Sequence, residues 1–369
     1  MRASRKVRWK FAGGANRRRM HPGAPGRRPY NRVILTLVAA APLTERSYLF
    51  VKTSSLGDIV HSMPAVTELA RRMAPARIDW VVEETYAPLL RLHTVVNRII
   101  PMAWRRWRSH AASRATWVEV RAFRASLAGS RYDAVIDAQG LVKSAVVALM
   151  ARGTRCGFDW PSAREGVASL TYARAFAVPW SLHAVQRCRT LAAKVGGYPM
   201  DHTLDYGLSL AHRVTDPRPY AVLLHATAQS AKQWDEACWT QVGQAMAASG
   251  LRVLLPHGND AELERSLRLA AGIPSAEVPD RAPLDRLALI LSGASVVIGV
   301  DTGLLHLAAA MRVPLVGIYL DTDPEATGPV GTGPLAVCGN RGRIVEVAEV
   351  LHAIGEVTDI QPRDLSVAD

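Results

Sequence analysis

A short polar segment between an apolar strand and an apolar helix is the first place in this chain where chemistry is expected. Residues 51–60 read VKTSSLGDIV: Val51 ends a predicted strand, a polar turn follows, and Asp58 stands at the start of a predicted helix. This arrangement places backbone N–H groups, hydroxyls and a carboxylate at the C-terminal edge of a sheet. Asp58 therefore fits either a helix N-cap or a general base that points into a cleft. The segment has neither the GxGxxG nor the GxxxxGK[ST] spacing, so the usual dinucleotide- and ATP-binding loops are not indicated.

A second segment, VVIGVDTGLLHLAAAM at residues 296–311, joins an apolar strand to a helix of small residues. Asp301 follows the strand, and Thr302 and Gly303 open the helix. His306 lies one turn further on. The free N–H groups and the dipole at such a helix start favour an anionic ligand such as a pyrophosphate, and Gly303 permits its close approach. Asp301 could accept hydrogen bonds from sugar hydroxyls. The plainer alternative is that Asp301 caps the helix and His306 contacts the neighbouring loop.

A third segment, LLHATAQSAKQW at residues 223–234, places a hydroxyl and a cation after another apolar strand. Thr227 and Lys232 could together hold a phosphate group. Taken singly, Lys232 fits a solvated surface position equally well.

Arginines alternate with tryptophans in PMAWRRWRSH, and these residue types suit an acceptor that carries negative charge. Arg forks bind carboxylate or phosphate through two hydrogen bonds, and Trp favours a membrane interface or the face of a sugar. An exposed charged helix is the alternative interpretation. The candidates for an anionic acceptor site are Arg105, Arg106 and Arg108, with Arg164 in DWPSAREG and His183 and Arg187 in HAVQRCR.

Strand and helix patterns alternate along the body of the chain, which indicates α/β layers around parallel sheets. The segments SYLFVK, RIDWVVEE, NRIIPM and YDAVIDAQG predict strands in the first half, and YAVLLHA, RVLLP, SVVIGV and PLVGIY predict strands in the second. We therefore predict two Rossmann-like units in tandem, over residues 47–213 and 214–342. Residues 343–369 predict an amphipathic helix and a tail, which could pack back on the N-terminal domain.

The charge of the chain is concentrated at its N-terminus. The net charge is +13, yet eleven Arg and Lys residues and no Asp or Glu lie in the first 32 positions, which leaves the rest of the chain nearly neutral. Nucleic-acid binding would therefore depend on this tail alone, and we do not predict it. We interpret residues 1–46 as a basic, disordered extension or as the result of an upstream start codon, with a secretory signal as the alternative. Their apolar run VILTLVAAAPL is shorter than the ~20 residues that a membrane-spanning helix needs.

The four cysteines are far apart in sequence and form no CxxC pair. Neither a zinc site nor a disulfide framework is indicated, and a reducing cytoplasm fits best. The cysteines are Cys156, Cys188, Cys238 and Cys338.

From about Tyr48 to Gly355 the sequence resembles the lipopolysaccharide heptosyltransferases, and among them the type I members. The resemblance is carried by seven blocks in the same order, which are VKTSSLGDIVHSMPA, DWVVEE, IPMAWRRWR, YDAVIDAQGLVKSA, HAVQR, LHATAQSAKQW and VDTGLLHLAAA. It implies a GT-B fold, in which two Rossmann-like domains face each other across a cleft. The acceptor would lie on the N-terminal domain and the nucleotide sugar on the C-terminal one.

The resemblance also implies a reaction and its partners. L-glycero-D-manno-heptose would be transferred with inversion from ADP-L-glycero-β-D-manno-heptose to the 5-hydroxyl of Kdo on Kdo2-lipid A. No metal or other cofactor would be required. The enzyme would work at the cytoplasmic face of the inner membrane, through peripheral contact.

Roles for individual residues follow from the matching motifs. Asp58 matches the general base, with Ser55 and Gly57 in the same acceptor-side loop. Lys232 is expected to act in catalysis and to bind the donor. The other expected donor-binding residues are Thr227, which matches a phosphate contact, Glu262, which matches a ribose contact, and Asp301, Thr302, Gly303 and His306. One departure is Ala228, where related sequences often have a second threonine, so one phosphate hydrogen bond is in doubt.

Two other functions remain open at this point. One is a GT-B transferase of the same family with another donor or acceptor, because a fold does not fix its substrate. The other is an inactive sugar-nucleotide-binding or scaffold protein that acts through its basic tail. The presence of Asp58, Lys232 and Asp301 argues against the second.

Overall fold

The computed structural model describes residues 45–209, 218–227 and 229–360. The extension predicted over residues 1–46 lies almost wholly outside these ranges. The predicted domain boundary at residue 213, Ala228 and the tail after residue 360 also lie outside the described ranges. Below, the first half means residues 45–209 and the second half means residues 218–360.

The first half is built around a sheet of six parallel strands in the order β3-β2-β1-β4-β5-β6. Its strands are β1 (Arg46–Val51), β2 (Ala76–Glu83), β3 (Val96–Met102), β4 (Arg131–Asp137), β5 (Arg152–Phe158) and β6 (Arg174–Phe176). Its helices are α1 (Leu56–Arg72), α2 (Ala87–Leu90), α3 (Trp104–Ser109), α4 (Arg114–Ala128), α5 (Val142–Met150) and α6 (Ala184–Gly196).

The second half repeats this plan with strand order β12-β11-β10-β7-β8-β9, again all parallel. Its strands are β7 (Tyr220–Leu224), β8 (Arg252–Leu254), β9 (Ala276–Glu277), β10 (Val296–Val300), β11 (Leu315–Tyr319) and β12 (Leu335–Gly339). Its helices are α7 (Glu236–Ala248), α8 (Asp260–Ala271), α9 (Leu284–Gly293), α10 (Gly303–Ala310), α11 (Pro324–Thr327) and α12 (Val347–Val357). Short 3-10 turns occupy Glu84–Tyr86, Gly166–Thr171 and Ser230–Lys232.

The two sheets confirm the predicted α/β class with two Rossmann-like units. In each sheet the strand order reverses at one point, between β1 and β4 in the first half and between β7 and β10 in the second. Ligands of open α/β sheets bind outside the carboxyl ends of the strands at such a reversal. All three polar segments selected from the sequence follow one of these strands.

Local chemistry explains why the site-forming elements begin where they do. Strands β7 and β10 consist only of buried residues, as parallel strands covered on both faces require. Helix α1 begins after Ser55, whose backbone N–H and hydroxyl both donate to the Asp58 carboxylate at 3.1 Å. Its apolar stripe, from Ile59 through Met63 to Leu69, is buried against the first sheet. The bonds between Ser55 and Asp58 thus determine where α1 begins, and burial of its apolar stripe determines the direction of the helix.

The C-terminal helix differs from its prediction. Helix α12 packs against β11, β12 and α7, and its buried residues Val350 and Ile354 belong to the hydrophobic core of the second half. The prediction that residues 343–369 pack back on the N-terminal domain is therefore not what the described part shows. The physical reason is that the apolar stripe of α12 has a nearer partner on the outer strands of its own sheet.

Candidate active site

The starts of α1 and α10 meet where the two halves face each other. Gly57 and Gly303 make this contact possible. A Cβ at Gly303 would lie 2.6 Å from the Cβ of Leu56, and one at Gly57 would lie 3.0 Å from Cδ2 of His306. Both glycines were predicted from the sequence as ligand-side residues, and the structure adds that they let two helix starts from different halves approach closely.

A cavity of about 660 Å³ opens beside this contact and is called the large cavity below. Residues of both halves line it, among them Tyr86 and Arg105 from the first half and His257 and Asn259 from the second. The predicted site residues in its wall are Ser55, Gly57, Arg105, Thr227, Lys232, Glu262, Asp301, Thr302, Gly303 and His306. The volume is in the range of small-ligand sites. All seven predicted donor-binding residues are thus brought together, while their roles in binding stay predictions.

Asp301 is the most strongly held acidic group of the large cavity. Its Oδ2 accepts hydrogen bonds from Lys232 Nζ at 2.6 Å and from Thr322 Oγ1 at 2.8 Å, and His306 Nε2 lies 3.7 Å from its Oδ1. Burial alone raises the pKa of Asp301, but the neighbouring His306 and the hydrogen bonds from Lys232 and Thr322 outweigh burial and hold the pKa well below its usual range. Asp301 is therefore a carboxylate, and it fixes the ammonium group of Lys232 beside the start of α10.

Glu262 and Thr227 occupy opposite parts of the same wall. The carboxylate of Glu262 accepts hydrogen bonds from the backbone of Gly258 at 2.7 Å and from the side chain of Asn259 at 2.8 Å. Thr227 Oγ1 donates to the carbonyl of Asp301 at 3.3 Å. The loop after β8 is thereby tied to the first turn of α8, and the loop after β7 is tied to the end of β10. Ala228 lies outside the described residues.

Asp58 lies in the wall of a second cavity of about 130 Å³, called the small cavity below. Its Oδ1 is 2.6 Å from Arg164 Nη2 and 3.3 Å from Lys52 Nζ, while Ser55 bonds its Oδ2. Burial raises the pKa of Asp58, but Lys52, Arg164 and the Ser55 N–H together hold the pKa well below its usual range. The N-cap of α1 is Ser55, so the interpretation of Asp58 as the N-cap is wrong by three positions. Asp58 instead supports the cap through its bonds with Ser55, and it is also a carboxylate on a cavity.

A pair of histidines separates the two cavities. His61, one turn after Asp58, lines the small cavity, and His306 lines the large one. His61 Nε2 is 3.2 Å from His306 Nδ1, so a hydrogen bond joins the two halves at this point. Burial and the neighbouring His306 and His183 lower the pKa of His61 well below its usual value, which keeps the His61 ring neutral. A side chain that lines one cavity is thus hydrogen-bonded to a side chain that lines the other.

The arginines predicted to bind an acceptor lie in different surroundings. Arg105 lines the large cavity and Arg164 the small one. Arg106 forms ion pairs with Glu84 and Glu119 on the outer surface. Arg108 lines neither cavity and borders an apolar pocket between α3, α4 and α5. The structure therefore brings only part of this cluster to the cleft.

Arg187 also lines the small cavity, and its side chain is held by the protein itself. Its guanidinium is buried and donates to the carbonyls of Ser162, Val178 and Pro179, and it stacks on the ring of Trp180 with 3.6 Å to the centroid. These bonds use three of the five N–H donors of the guanidinium, so a contact with an acceptor stays a prediction. Arg187 therefore fixes the loop that forms one wall of the small cavity.

Several residues of the site were not among the sequence candidates. Lys52 is buried and donates to the carbonyl of Ala138 at 3.0 Å, so its ammonium is held beside Asp58. Lys143 Nζ donates to Ser54 Oγ at 3.1 Å. His61 and Thr322 complete the set. A sequence signal existed for Lys52, which directly follows a buried strand, and for His61, which is one helical turn from Asp58. Thr322 had none, because its contact with Asp301 depends on the neighbouring strand.

No group of three or more His, Cys, Asp or Glu side chains within the described ranges is placed to hold a metal ion. The positive charge in the large cavity is supplied by Lys232, by the exposed Arg105 and by the free N–H groups at the start of α10. Such a wall can hold a diphosphate. The small cavity offers a carboxylate that can accept a proton.

Known proteins share this architecture. The sequence profile described as glycosyltransferase family 9 (heptosyltransferase) matches residues 120–350. Lipopolysaccharide heptosyltransferase 1 of Escherichia coli K12 is 42% identical over 304 residues, which cover 81% of this chain and 95% of that protein. The protein of the same name from Pseudomonas aeruginosa is 44% identical over 287 residues, which cover 77% of this chain and 81% of that protein.

A solved structure agrees. That of the E. coli heptosyltransferase WaaC with ADP matches with a TM-score of 0.77 at 42% identity, and the match covers 82% of this chain and 96% of that one. With this match the two parallel-sheet units across a cleft define a GT-B fold, the architecture of a glycosyltransferase. The chain belongs to glycosyltransferase family 9, the heptosyltransferases. The predicted resemblance to the type I members is confirmed, because the matching part of lipopolysaccharide heptosyltransferase 2 of E. coli is only 24% identical over 130 residues.

Proposed function

We propose that this protein transfers L-glycero-D-manno-heptose from ADP-heptose to the Kdo of Kdo2-lipid A, which adds the first heptose of the lipopolysaccharide inner core. Relatives at 42% and 44% identity are named lipopolysaccharide heptosyltransferase 1. Two solved structures of one relative at 42% identity, the E. coli heptosyltransferase WaaC, contain ADP and ADP-2-deoxy-2-fluoro heptose, respectively. These names support an ADP-linked heptose as the donor in the large cavity.

The observation that carries the proposal is the arrangement of charge across the contact between the halves. A carboxylate of the first half, Asp58, faces the small cavity, and a cation of the second half, Lys232, faces the large one. The contact between His61 and His306 lies between them. A reaction that needs a proton acceptor on one side and stabilisation of a leaving diphosphate on the other fits this geometry.

The reaction is a single displacement with inversion at the anomeric carbon. Asp58 accepts the proton of the acceptor hydroxyl as the hydroxyl oxygen forms a bond to the anomeric carbon. The bond from that carbon to the diphosphate oxygen breaks on the opposite face, and ADP leaves with its bonding electron pair. Asp58 returns its proton to solvent after the product departs.

Arg164 would control when Asp58 becomes a base. A carboxylate whose pKa is far below its usual range is a poor proton acceptor, and Arg164 is one cause of that low pKa. The side chain of Arg164 is 46% exposed, whereas that of Asp58 is 15% exposed. An acceptor with a carboxylate or phosphate can therefore attract Arg164 away and leave Oδ1 of Asp58 to the substrate hydroxyl.

The developing charge of ADP would be stabilised by Lys232 and by the N–H groups at the start of α10. Asp301 keeps Lys232 in place at 2.6 Å and could also accept hydrogen bonds from the sugar. Under this proposal turnover needs no divalent metal ion, so we expect chelation by EDTA to leave the rate unchanged.

The acceptor is a lipid, so we place the reaction at the cytoplasmic face of the inner membrane, with the protein bound peripherally. The helices in the described ranges all lack the combination of length and apolar content that crossing a bilayer requires. Surface contact with lipid is accordingly the form of attachment that we propose.

The test is a direct assay of the reaction. Purified protein is incubated with ADP-heptose and Kdo2-lipid A, and mass spectrometry is used to look for one added heptose. We expect a single addition that requires both substrates, with an α-linked product if the donor is β-linked. No product with this pair, together with product from a UDP- or GDP-sugar, would assign the chain to another donor. No product from any donor would favour a binding protein without catalytic activity.

A further inference from the structure

The outer surface of the first half carries an unusual concentration of exposed apolar side chains. On or beside α4, α5 and the turn Gly166–Thr171, large apolar residues are one-third to three-quarters exposed, and they are Trp117, Val118, Val142, Val146, Leu149, Trp160, Val167 and Leu170. In the described part of the second half only Leu267, Val337 and Ile344 are comparable, and they lie on different elements. Extended exposed apolar surface of this kind marks an interaction site.

These side chains form one continuous surface, called the apolar face below. Val142, Val146 and Leu149 are spaced by four and three residues along α5, so they share one side of that helix. Helix α5 packs against α4 on one flank and against the turn Gly166–Thr171 on the other. The apolar face therefore runs from Trp117 on α4, across α5, to Leu170.

A cavity of about 340 Å³ opens within the apolar face, between α3, α4 and α5. Its wall is formed mainly by the rings of Trp107, Trp117 and Phe123 and by aliphatic side chains of α5, including Val146. The indole N–H groups do not need a ligand, because Trp107 donates to Glu119 at 2.8 Å and Trp117 donates to the carbonyl of Ala111 at 2.9 Å. An apolar cavity without unsatisfied polar groups is suited to a hydrocarbon ligand.

The charge beside the apolar face is strongly positive. Residues 104–128, which form α3 and α4, contain six arginines and a single acid, Glu119. Glu119 is already paired with Arg106. Arg108 borders the cavity itself. Apolar side chains with tryptophan, surrounded by arginine, complement the headgroups and acyl chains of an anionic lipid surface.

The apolar face also adjoins the candidate active site. Lys143, near the start of α5, donates to Ser54 in the loop that precedes α1. Glu165, just before the turn Gly166–Thr171, accepts a hydrogen bond from the backbone of Val142 at 2.6 Å, and its neighbour Arg164 is paired with Asp58. A lipid surface in contact with the apolar face would thus lie at the edge of the small cavity.

We propose that the apolar face is a docking surface for an anionic lipid bilayer, and that its cavity receives one hydrocarbon chain of a bilayer lipid. This identifies the surface through which the peripheral attachment of the proposed function would occur. Binding to the bilayer rests on the apolar face alone. The benefit for turnover rests on the proposed function, because only a lipid-linked acceptor would be presented to Asp58 in this way.

The first experiment measures binding of the full chain to vesicles of phosphatidylcholine, with and without phosphatidylglycerol, by co-sedimentation. We expect binding only to the anionic vesicles, and at least a tenfold loss of affinity in Val146→Glu and in Leu149→Glu. Leu267→Glu is the matched control, because Leu267 is 54% exposed on α8 of the second half. No binding by the wild-type chain, or equal loss in the control, overturns the proposal. The proposal is also overturned if the wild-type chain is a dimer that does not bind vesicles and the two α5 variants dissociate that dimer.

The second experiment tests the cavity with phosphatidylglycerol whose acyl chains carry bromine, which quenches tryptophan fluorescence on contact. We expect quenching on binding, and less quenching in Trp117→Phe at equal binding. Binding without quenching would overturn the role of the cavity.

The third experiment separates this inference from the proposed function. Val146→Glu should transfer heptose to a deacylated, water-soluble acceptor at the wild-type rate, and should be at least tenfold slower with acceptor embedded in anionic vesicles. Equal rates on both acceptors would overturn the docking surface. If the wild-type chain bound the vesicles but transferred heptose to neither acceptor, the proposed reaction would fail while the docking surface would stand.

Discussion

Asp58 and Asp301 lie beyond the carboxyl ends of strands at the reversal points of their sheets, yet their surroundings differ. Asp58 is bonded by Ser55, three residues earlier, and by Lys52 and Arg164. Asp301 receives no such local bond, and its Oδ2 is held by Lys232 and Thr322. The cation nearest Asp58 is 46% exposed, whereas Lys232 is 17% exposed.

This difference indicates two kinds of site. The Asp58 site combines a fixed carboxylate with a cation that can exchange its partner when a substrate enters. The Asp301 site is already ordered, because each of its partners is held in a partly or fully buried position. We therefore expect side chains of the first half to change partners when a ligand binds. Those of the second half should keep their positions and form a preformed wall for the ligand.

The largest effect is expected from Asp58→Asn, which keeps the shape and removes the proton acceptor. Loss of a general base lowers the rate by ~10²–10⁴-fold. We expect kcat to fall by that amount, while the affinity for ADP measured by calorimetry stays within a few-fold of wild type. Asp301→Asn is the contrasting variant, and it should weaken ADP binding. Near-normal kcat in Asp58→Asn would remove this residue from the mechanism.

Lys232→Met should affect both donor binding and the rate. It removes the cation expected to stabilise the leaving diphosphate, and loss of one such donor typically lowers kcat by ~10²–10³-fold. Steady-state kinetics and ADP calorimetry should therefore both change. Lys194→Met is the control, because Lys194 Nζ donates to the carbonyl of Ala177 on the surface of the first half. Unchanged donor affinity in Lys232→Met would contradict the preformed wall.

Gly303→Ala tests whether the two halves must touch at their helix starts. The added methyl group would lie 2.6 Å from the Cβ of Leu56, so α1 and α10 must move apart. A displacement approaching 1 Å at a site of this kind costs up to about 10²-fold in kcat. We expect a clear loss of turnover with little change in thermal stability. Replacing Leu56 by Gly in the same chain should restore part of it.

Gly355→Ala is the matched control for Gly303→Ala. A Cβ at this position in α12 meets only the carbonyl of Ile360, at 3.9 Å. Turnover should be that of the wild type. If Gly303→Ala were equally active, close contact between the helix starts would not be needed for the reaction.

Arg164→Met probes the exchangeable partner of Asp58. Without this cation the pKa of Asp58 should rise toward its usual range, because Arg164 is one of the groups that lower it. The acid limb of the pH profile of kcat/KM should therefore move to higher pH, since kcat/KM reports the free enzyme. We expect about a tenfold rise in KM for the acceptor as well. An acid limb at the wild-type position would show that Arg164 does not set this pKa.

Much of this arrangement could be predicted from the sequence where local chemistry determines it. Helix α1 was predicted from residue 58 and begins at Leu56, because its capping residue and its apolar period are adjacent in sequence. The strand β10 and the helix α10 were predicted for the same reason. Strands β5, β6, β9 and β12 were not predicted. Strands β6 and β9 have only three and two residues, and β5 and β12 are partly exposed and contain glycine, so none has a clear apolar pattern.

The contacts of the site were less predictable than its residues. Asp58 and Asp301 could be selected because each joins a strand to a helix. The partners of Arg187 could not be predicted, because they are the carbonyls of a folded loop. Likewise His61 meets His306 across 245 positions of sequence, which no local pattern encodes.

The smallest expected effect concerns the stability of the halves. Each half buries a neutral histidine, and burial lowers the pKa of His93 in the first half and of His225 in the second from 6.5 to about 4. As the pH falls from 6.5 toward 4, the unfolded chain binds protons that the folded chain refuses, so stability falls across this window. Each histidine should contribute a slope of about 1.4 kcal/mol per pH unit.

His93→Gln and His225→Gln should each flatten this part of the pH dependence of the free energy of unfolding, measured by urea denaturation. The depressed pKa values of Asp58 and Asp301 act in a separate window, because their contribution is lost only as the pH falls below the usual range of a carboxyl group. The two histidines lie in different cores and share no partner, so the effects of the variants on the slope should add. If only one variant changed the slope, the two halves would differ in how they unfold in acid, although both are built on the same sheet order.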